Sequence, residues 1–100
     1  MGDVVAVSLR MDQGGNSSVV AISAVSAQSA AFNGGTPLLI TPALDCFVRA
    51  GSNPTALANG TDIFLTGGAS YRVVLPQITS VKLAFITTGG TGNVYLTPGA

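Results

Sequence analysis

Glutamate, histidine and tryptophan are missing altogether from this chain of 100 residues, and only 8% of its residues are charged. An ordinary soluble domain carries about 25%. Each gap removes a class of function. Without histidine, no Ser-His-Asp or Cys-His relay exists within the chain. The carboxylates Asp3, Asp12, Asp45 and Asp62 fall in four separate segments. They read as turn caps or solvated groups rather than as a glycosidase pair, so no enzymatic activity is expected. Zinc asks for Cys and His clusters and calcium for several acids in one loop; neither pattern occurs, and no metal or cofactor is expected. Arg10, Arg49, Arg72 and Lys82 offset the four acids to a formal net charge of zero. That leaves no basic footprint for phosphates, and nucleic acid is not an expected partner.

Cysteine is scarce too. Cys46 stands alone, so an intrachain disulfide is excluded. Its neighbours Leu44, Phe47 and Val48 mark it as a buried, unreactive thiol. Long apolar runs are also lacking. Residues 13–44 carry no charge, yet Gly14-Gly15-Asn16, Gln28, Asn33-Gly34-Gly35 and Pro37 interrupt them. No stretch reaches the roughly 18 apolar residues of a membrane helix, and no membrane partner is expected. Met1-Gly2-Asp3 opens on an acid, unlike the basic start of a secretory leader.

What is present is apolar: 47% of the residues, too many for a disordered chain. The length suits one domain, 1–100, with residues 1–12 a candidate N-terminal arm. A domain this small cannot hide all its apolar groups, and near-zero net charge promotes association. Homo-oligomerisation or incorporation into a larger assembly is therefore expected.

Breakers recur every ten residues or so, separating runs rich in Val, Ile, Leu, Thr and Phe, the pattern of an all-β sandwich or barrel. Strands are predicted at 4–9, 19–25, 37–41, 45–50, 62–65, 71–75, 81–87 and 94–97. Residues 11–17 read as a loop or hairpin tip. The segment Ser26 to Phe32 is too short to stand alone as a helix, and reads as strand or extended chain. Pro37 suits a strand start or an edge. Alternation places Cys46 and Val48 opposite Phe47 and Arg49, Tyr71, Val73 and Leu75 opposite Arg72 and Val74, and Val81, Leu83 and Phe85 opposite Lys82, Ala84 and Ile86. About eight short strands make a single antiparallel β-sandwich, jelly-roll-like in kind.

Gly89-Gly90-Thr91-Gly92-Asn93 lacks the Lys-Ser/Thr and the following helix of a phosphate loop, and residues 88–93 read as a hairpin turn. Asn16-Ser17-Ser18 and Asn59-Gly60-Thr61 match the glycosylation pattern, as chance allows in a chain rich in these residues. Of the aromatics, all but Phe32 lie in alternating or strongly apolar runs, and core packing is the expectation for most of them.

From Asp45 onward the chain reads Asp45-Cys46-Phe47-Val48-Arg49, Gly51, Asn53-Pro54-Thr55-Ala56, then Ile63-Phe64-Leu65, Gly67-Gly68 and Tyr71-Arg72-Val73. Val81-Lys82-Leu83-Ala84-Phe85-Ile86 and Gly92-Asn93-Val94-Tyr95-Leu96-Thr97 follow. Together with Ser26-Ala27-Gln28-Ser29-Ala30-Ala31 before a glycine turn, this order resembles small tailed-bacteriophage proteins often encoded near the major capsid protein. The resemblance spans residues 26–97 and implies a capsid cement or decoration protein. Such a protein is a jelly-roll-like virion domain made in the bacterial cytoplasm, sitting as a homo-oligomer, a trimer or a dimer, on the outer capsid. The implied partner is the major capsid protein. Met1, Asp3, Arg10, Asp12, Asn53 and Asn59 are the candidate contact residues, from the N-terminal segment and the Asn53 to Asn59 loop. Two alternatives stay open: another virion component, such as a head fibre base, tail or baseplate protein, and a glycan- or host-binding module.

Overall fold

The computed structural model describes residues 18–98. The predicted strand at 4–9, the loop at 11–17 and the candidate arm at 1–12 lie outside them. Nine short strands follow the punctuation of the sequence: β1 (Ser18–Ile22), β2 (Ala27–Gln28), β3 (Phe32–Asn33), β4 (Pro37–Pro42), β5 (Cys46–Gly51), β6 (Ile63–Leu65), β7 (Tyr71–Val74), β8 (Ser80–Ile86) and β9 (Gly92–Pro98). No helix occurs among the described residues.

The strands pair as nested brackets. β1 pairs with β9, β2 and β3 with β8, β4 with β7, and β5 with β6, all antiparallel. Folding that long bracket over on itself adds two further pairings, β4 with β9 and β5 with β8. The result is two sheets, in the orders β1-β9-β4-β7 and β2-β8-β5-β6, with β3 also on β8. This is the two-sheet jelly-roll arrangement, and the all-β sandwich expectation holds. Pro37 opens β4, which lies inside its sheet between β9 and β7, so the proline marks a strand start rather than an edge.

Alternation sorts the side chains as expected. Val20, Ile22, Leu38, Ile40, Val94 and Leu96 from one sheet meet Cys46, Val48, Leu65, Val81, Leu83 and Phe85 from the other in a continuous core. Tyr71 and Val73 pack against it, while Arg72 and Val74 face out. One outward residue departs from the pattern: Ala84 is buried. Its register neighbours on the outer face are Gln28 and Arg49, both of which anchor the long β5–β6 loop.

The ambiguous segment at 26–32 turns out to be one interrupted strand. Between the pairs Gln28–Ala84 and Phe32–Val81, Ser29 to Ala31 lie opposite only Leu83 and Lys82, a bulge of one residue. Ser29 fills the break chemically. Its N–H donates to the Leu83 carbonyl at 2.7 Å, and its Oγ accepts the Leu83 N–H at 3.0 Å. The side chain thus replaces a backbone acceptor the bulge has displaced.

The hairpin reading of residues 88–93 is corrected. β8 lies in one sheet and β9 in the other, so this segment crosses between them. A hairpin would have set β9 beside β8 and left β1 and β4 unjoined. Placing β9 between β1 and β4 instead buries Val94 and Leu96 and pairs both of its edges. The turns at 33–36 and 66–70 are likewise crossings between sheets, leaving β5–β6 as the one true hairpin among the described residues.

Candidate functional site

The hairpin loop 52–62 contains both described candidate contact residues, Asn53 and Asn59, and it is tied down along its length. Gln28 Nε2 donates to Asn53 Oδ1 at 2.9 Å and to the Pro54 carbonyl at 2.8 Å. The Ala56 N–H donates to Ser26 Oγ at 2.9 Å. Farther on, Asn59 Oδ1 accepts the N–H and the hydroxyl of Thr61. Pro54 and Ala56 turn inward, whereas Asn53 and Asn59 are exposed. The loop therefore folds back across the outer face of the β2-β8-β5-β6 sheet. Met1, Asp3, Arg10 and Asp12 lie outside the described residues.

Asp62 closes the loop. Its carboxylate takes the Arg49 Nε–H at 2.6 Å on one oxygen and the Leu57 N–H at 2.7 Å on the other. Only 4% of the side chain is exposed. Burial acts to raise its pKa, but the Leu57 N–H and the Arg49 guanidinium outweigh burial and hold the carboxyl below its ordinary value. Such a group contributes its full stabilisation above the unfolded-chain pKa, about 3.9, and loses it as pH falls through the lower folded value. Thermal stability is therefore expected to drop below about pH 4. Asp62→Asn should flatten that limb of the Tm–pH curve; an unchanged limb in the variant would place the acid response elsewhere.

The second candidate region is one end of the sandwich, where the crossings at 43–45, 66–70 and 87–91 meet. Asp45 Oδ1 accepts the Gly67 N–H at 2.7 Å, and the Asp45 carbonyl accepts the Thr87 hydroxyl at 2.7 Å. The Gly68 N–H donates to the Pro42 carbonyl at 2.8 Å. A recess of about 370 Å³ lies here, lined by Leu44, Asp45, Thr87, Thr88 and Gly89 among others. Its chemistry is one carboxylate, two hydroxyls and backbone. The other described carboxylate, Asp62, is engaged with Arg49 in the hairpin loop, so the two do not form a pair. Among the described residues no group of three His, Cys, Asp or Glu is placed to hold a metal ion. Cys46 is buried as expected, its thiol pushed up to about 11 by burial first and by the negative Asp45 second.

The third region is apolar. At the open side of the sandwich the edge strands β6 and β7 flank a cleft of about 230 Å³ lined by Ile40, Val48, Ile63, Val73, Val74 and Leu83 among others. Ile63 and Val74 on its rim are 68% and 69% exposed. Around the edge on the outer face, Phe64 stacks edge-on against Phe47 with ring centroids 5.3 Å apart, yet remains 51% exposed. Comparison with family models, with characterised proteins and with solved structures returns no match. The surface must therefore be read from its own chemistry.

On the outer face of the β1-β9-β4-β7 sheet, Val19, Tyr95 and Thr41 form one row across three strands, closed by a 3.0 Å contact between the Thr41 and Ser70 hydroxyls. Sequence reasoning assigned most aromatics to the core and so missed Phe64 and Tyr95 as surface groups. The signal was available for Tyr95, since Val94 and Leu96 on either side claim the inward positions. For Phe64, with Leu65 inward, alternation gives the same answer.

Proposed function

We propose that this protein is a virion structural protein of a tailed bacteriophage, a decoration or cement protein that binds the outer capsid and bridges neighbouring capsomers. The observation that carries this reading is the outer face of the β1-β9-β4-β7 sheet. Across all four strands a single side chain, Arg72, is charged, while Val19, Val74 and Tyr95 stand exposed. Extensive permanent interfaces are more apolar than ordinary surface, and a weakly charged face of this kind suits one.

Two further points support the reading. The motifs between residues 26 and 97 resemble capsid-associated phage proteins. The jelly-roll order also recurs in viral capsid domains; because lectins and cupins share it, this is an analogy of fold and not of site. The partner would be the major capsid protein. A trimer would close a ring around a capsid three-fold, and its repeated contacts would strengthen capsid seams by multivalency.

The deciding measurement is the copy number of this chain in purified virions, relative to the major capsid protein. A ratio near one, or a simple fraction of it, is expected for a protein covering the lattice. A few tens of copies would move it to the vertices or the tail, and absence from the particle would end the virion reading.

A further inference from the structure

We propose that Asn59-Gly60 is a self-modifying site, at which the folded protein converts an asparagine side chain to aspartate or isoaspartate without an enzyme. The described residues contain two Asn-Gly pairs, Asn33-Gly34 and Asn59-Gly60. The same reaction is open to both. The glycine nitrogen attacks Cγ of the preceding asparagine, forming an N–Cγ bond. The Cγ–Nδ2 bond then breaks, and ammonia leaves with the proton given up by the glycine nitrogen. Water opens the resulting five-membered succinimide at either carbonyl, giving aspartate or isoaspartate. Only water is consumed.

The fold treats the two pairs differently. At the exposed Asn59, the side-chain oxygen Oδ1 accepts the Thr61 N–H at 3.1 Å and the Thr61 hydroxyl at 2.7 Å. A backbone N–H only donates, so the atom facing it must be the amide oxygen and not Nδ2. That oxygen is where negative charge collects once the Gly60 nitrogen has added to Cγ. Two donors already aimed at it act as a small oxyanion hole, favouring the intermediate over the resting amide. Gly60 adds room: its φ is +87°, and nothing lies within 4 Å of where a Cβ would stand.

Asn33 has none of this. It sits in β3 opposite Ser80, and its backbone carbonyl holds both the N–H and the hydroxyl of Thr36, at 3.3 and 2.6 Å. Gly34 lies directly on the Ile78 backbone, where a Cβ would collide with the carbonyl oxygen. Ring closure has to swing the Asn-Gly peptide, and these contacts oppose it. Among the described residues no donor reaches Asn33 Oδ1. Asn53 is an internal blank, because Pro54 offers no N–H to deprotonate.

Conversion takes the chain from a formal net charge of zero to one negative charge. The new carboxylate appears in the loop closed by the Arg49–Asp62 pair. The inference stands on loop geometry and does not depend on the virion reading.

The test is peptide mapping by mass spectrometry of the full chain, held in mildly alkaline buffer and sampled over time, once folded and once in concentrated urea. In the folded protein Asn59 should convert several times faster than Asn33, and in urea the two rates should converge. Thr61→Val, which removes the hydroxyl donor, should slow Asn59 by about two- to tenfold, the effect of one hydrogen bond of ordinary strength, and leave Asn33 unchanged. Equal rates at the two sites in the folded protein would overturn the proposal. So would a wild-type rate at Asn59 in a folded Thr61→Val variant. The comparison of folded and unfolded wild-type protein decides the question even where the variant does not fold.

Discussion

Replacing Phe85 by alanine is expected to remove about 3–5 kcal/mol of stability, the usual cost of emptying a fully buried aromatic site. Phe85 is the largest of the completely buried side chains. It lies mid-sheet on β8, with Ala27 on one side and Val48 on the other, and faces the opposite sheet. Neither neighbouring strand can collapse into the void without breaking its register with β8. A domain of this size has about 5–15 kcal/mol in total, so the variant should lose a large share of its stability and unfold at a much lower urea concentration than the parent. Tyr95→Ala is the matched control, because that ring stands on the outer face and should cost about 0.5 kcal/mol. Urea unfolding of both variants checks the pair. Equal losses would mean that β9 presents the wrong face to the core.

The second large effect is expected from a much smaller change. Ser29→Ala deletes one oxygen, but that oxygen is the acceptor for the buried Leu83 N–H at 3.0 Å. Leaving such a donor unsatisfied costs about 1–3 kcal/mol, more than the hydrogen bond itself contributes. Ser29 is 7% exposed, so water reaches the vacated position poorly. The loss should appear as a lower urea midpoint with an unchanged slope, since the surface exposed on unfolding is the same. A neutral variant would show that the β2–β3 bulge relaxes and lets Leu83 find another acceptor.

These two residues also mark what was legible in the sequence. Alternation sets Phe85 with Val81 and Leu83 against Lys82, Ala84 and Ile86, core packing is the expectation for most aromatics, and Phe85 does lie in the core. Ser29 carries no such signal, because a bulge is a property of two paired strands and neither strand's own sequence shows it. The same limit explains the error at residues 88–93. Alternation tells a strand which face it turns to the core; it does not name the neighbour. β8 and β9 each satisfy their inward residues in whichever sheet they join, and the pairing of β9 with β1 and β4 depends on segments more than fifty residues away. Alternation sets Ala84 opposite Phe85, which agrees with its outward position, but its burial beside Gln28 and Arg49, which anchor the 52–62 loop, is not written in that pattern. Those anchors, Gln28, Ser26 and Arg49, show no signature in a single chain read in order.

The position of β9 also bears on how the chain is made. β9 and β8 are the last of the described strands to be synthesised, yet each lies in the interior of its sheet, between strands made earlier. Until residues 80–98 have been added, β1 and β4 have no strand between them, and β2 and β5 face an equal gap. The uncharged strands β1, β2 and β3 therefore wait unpaired, while the β5–β6 hairpin and the β4–β7 pair can already form. Such topologies fold slowly, because distant segments must meet before any contact rewards them. Half-made chains exposing apolar edges are the species most prone to stick to one another. Expression that slows translation near the end of the message, or a stop placed just before Gly92, should send this protein to inclusion bodies.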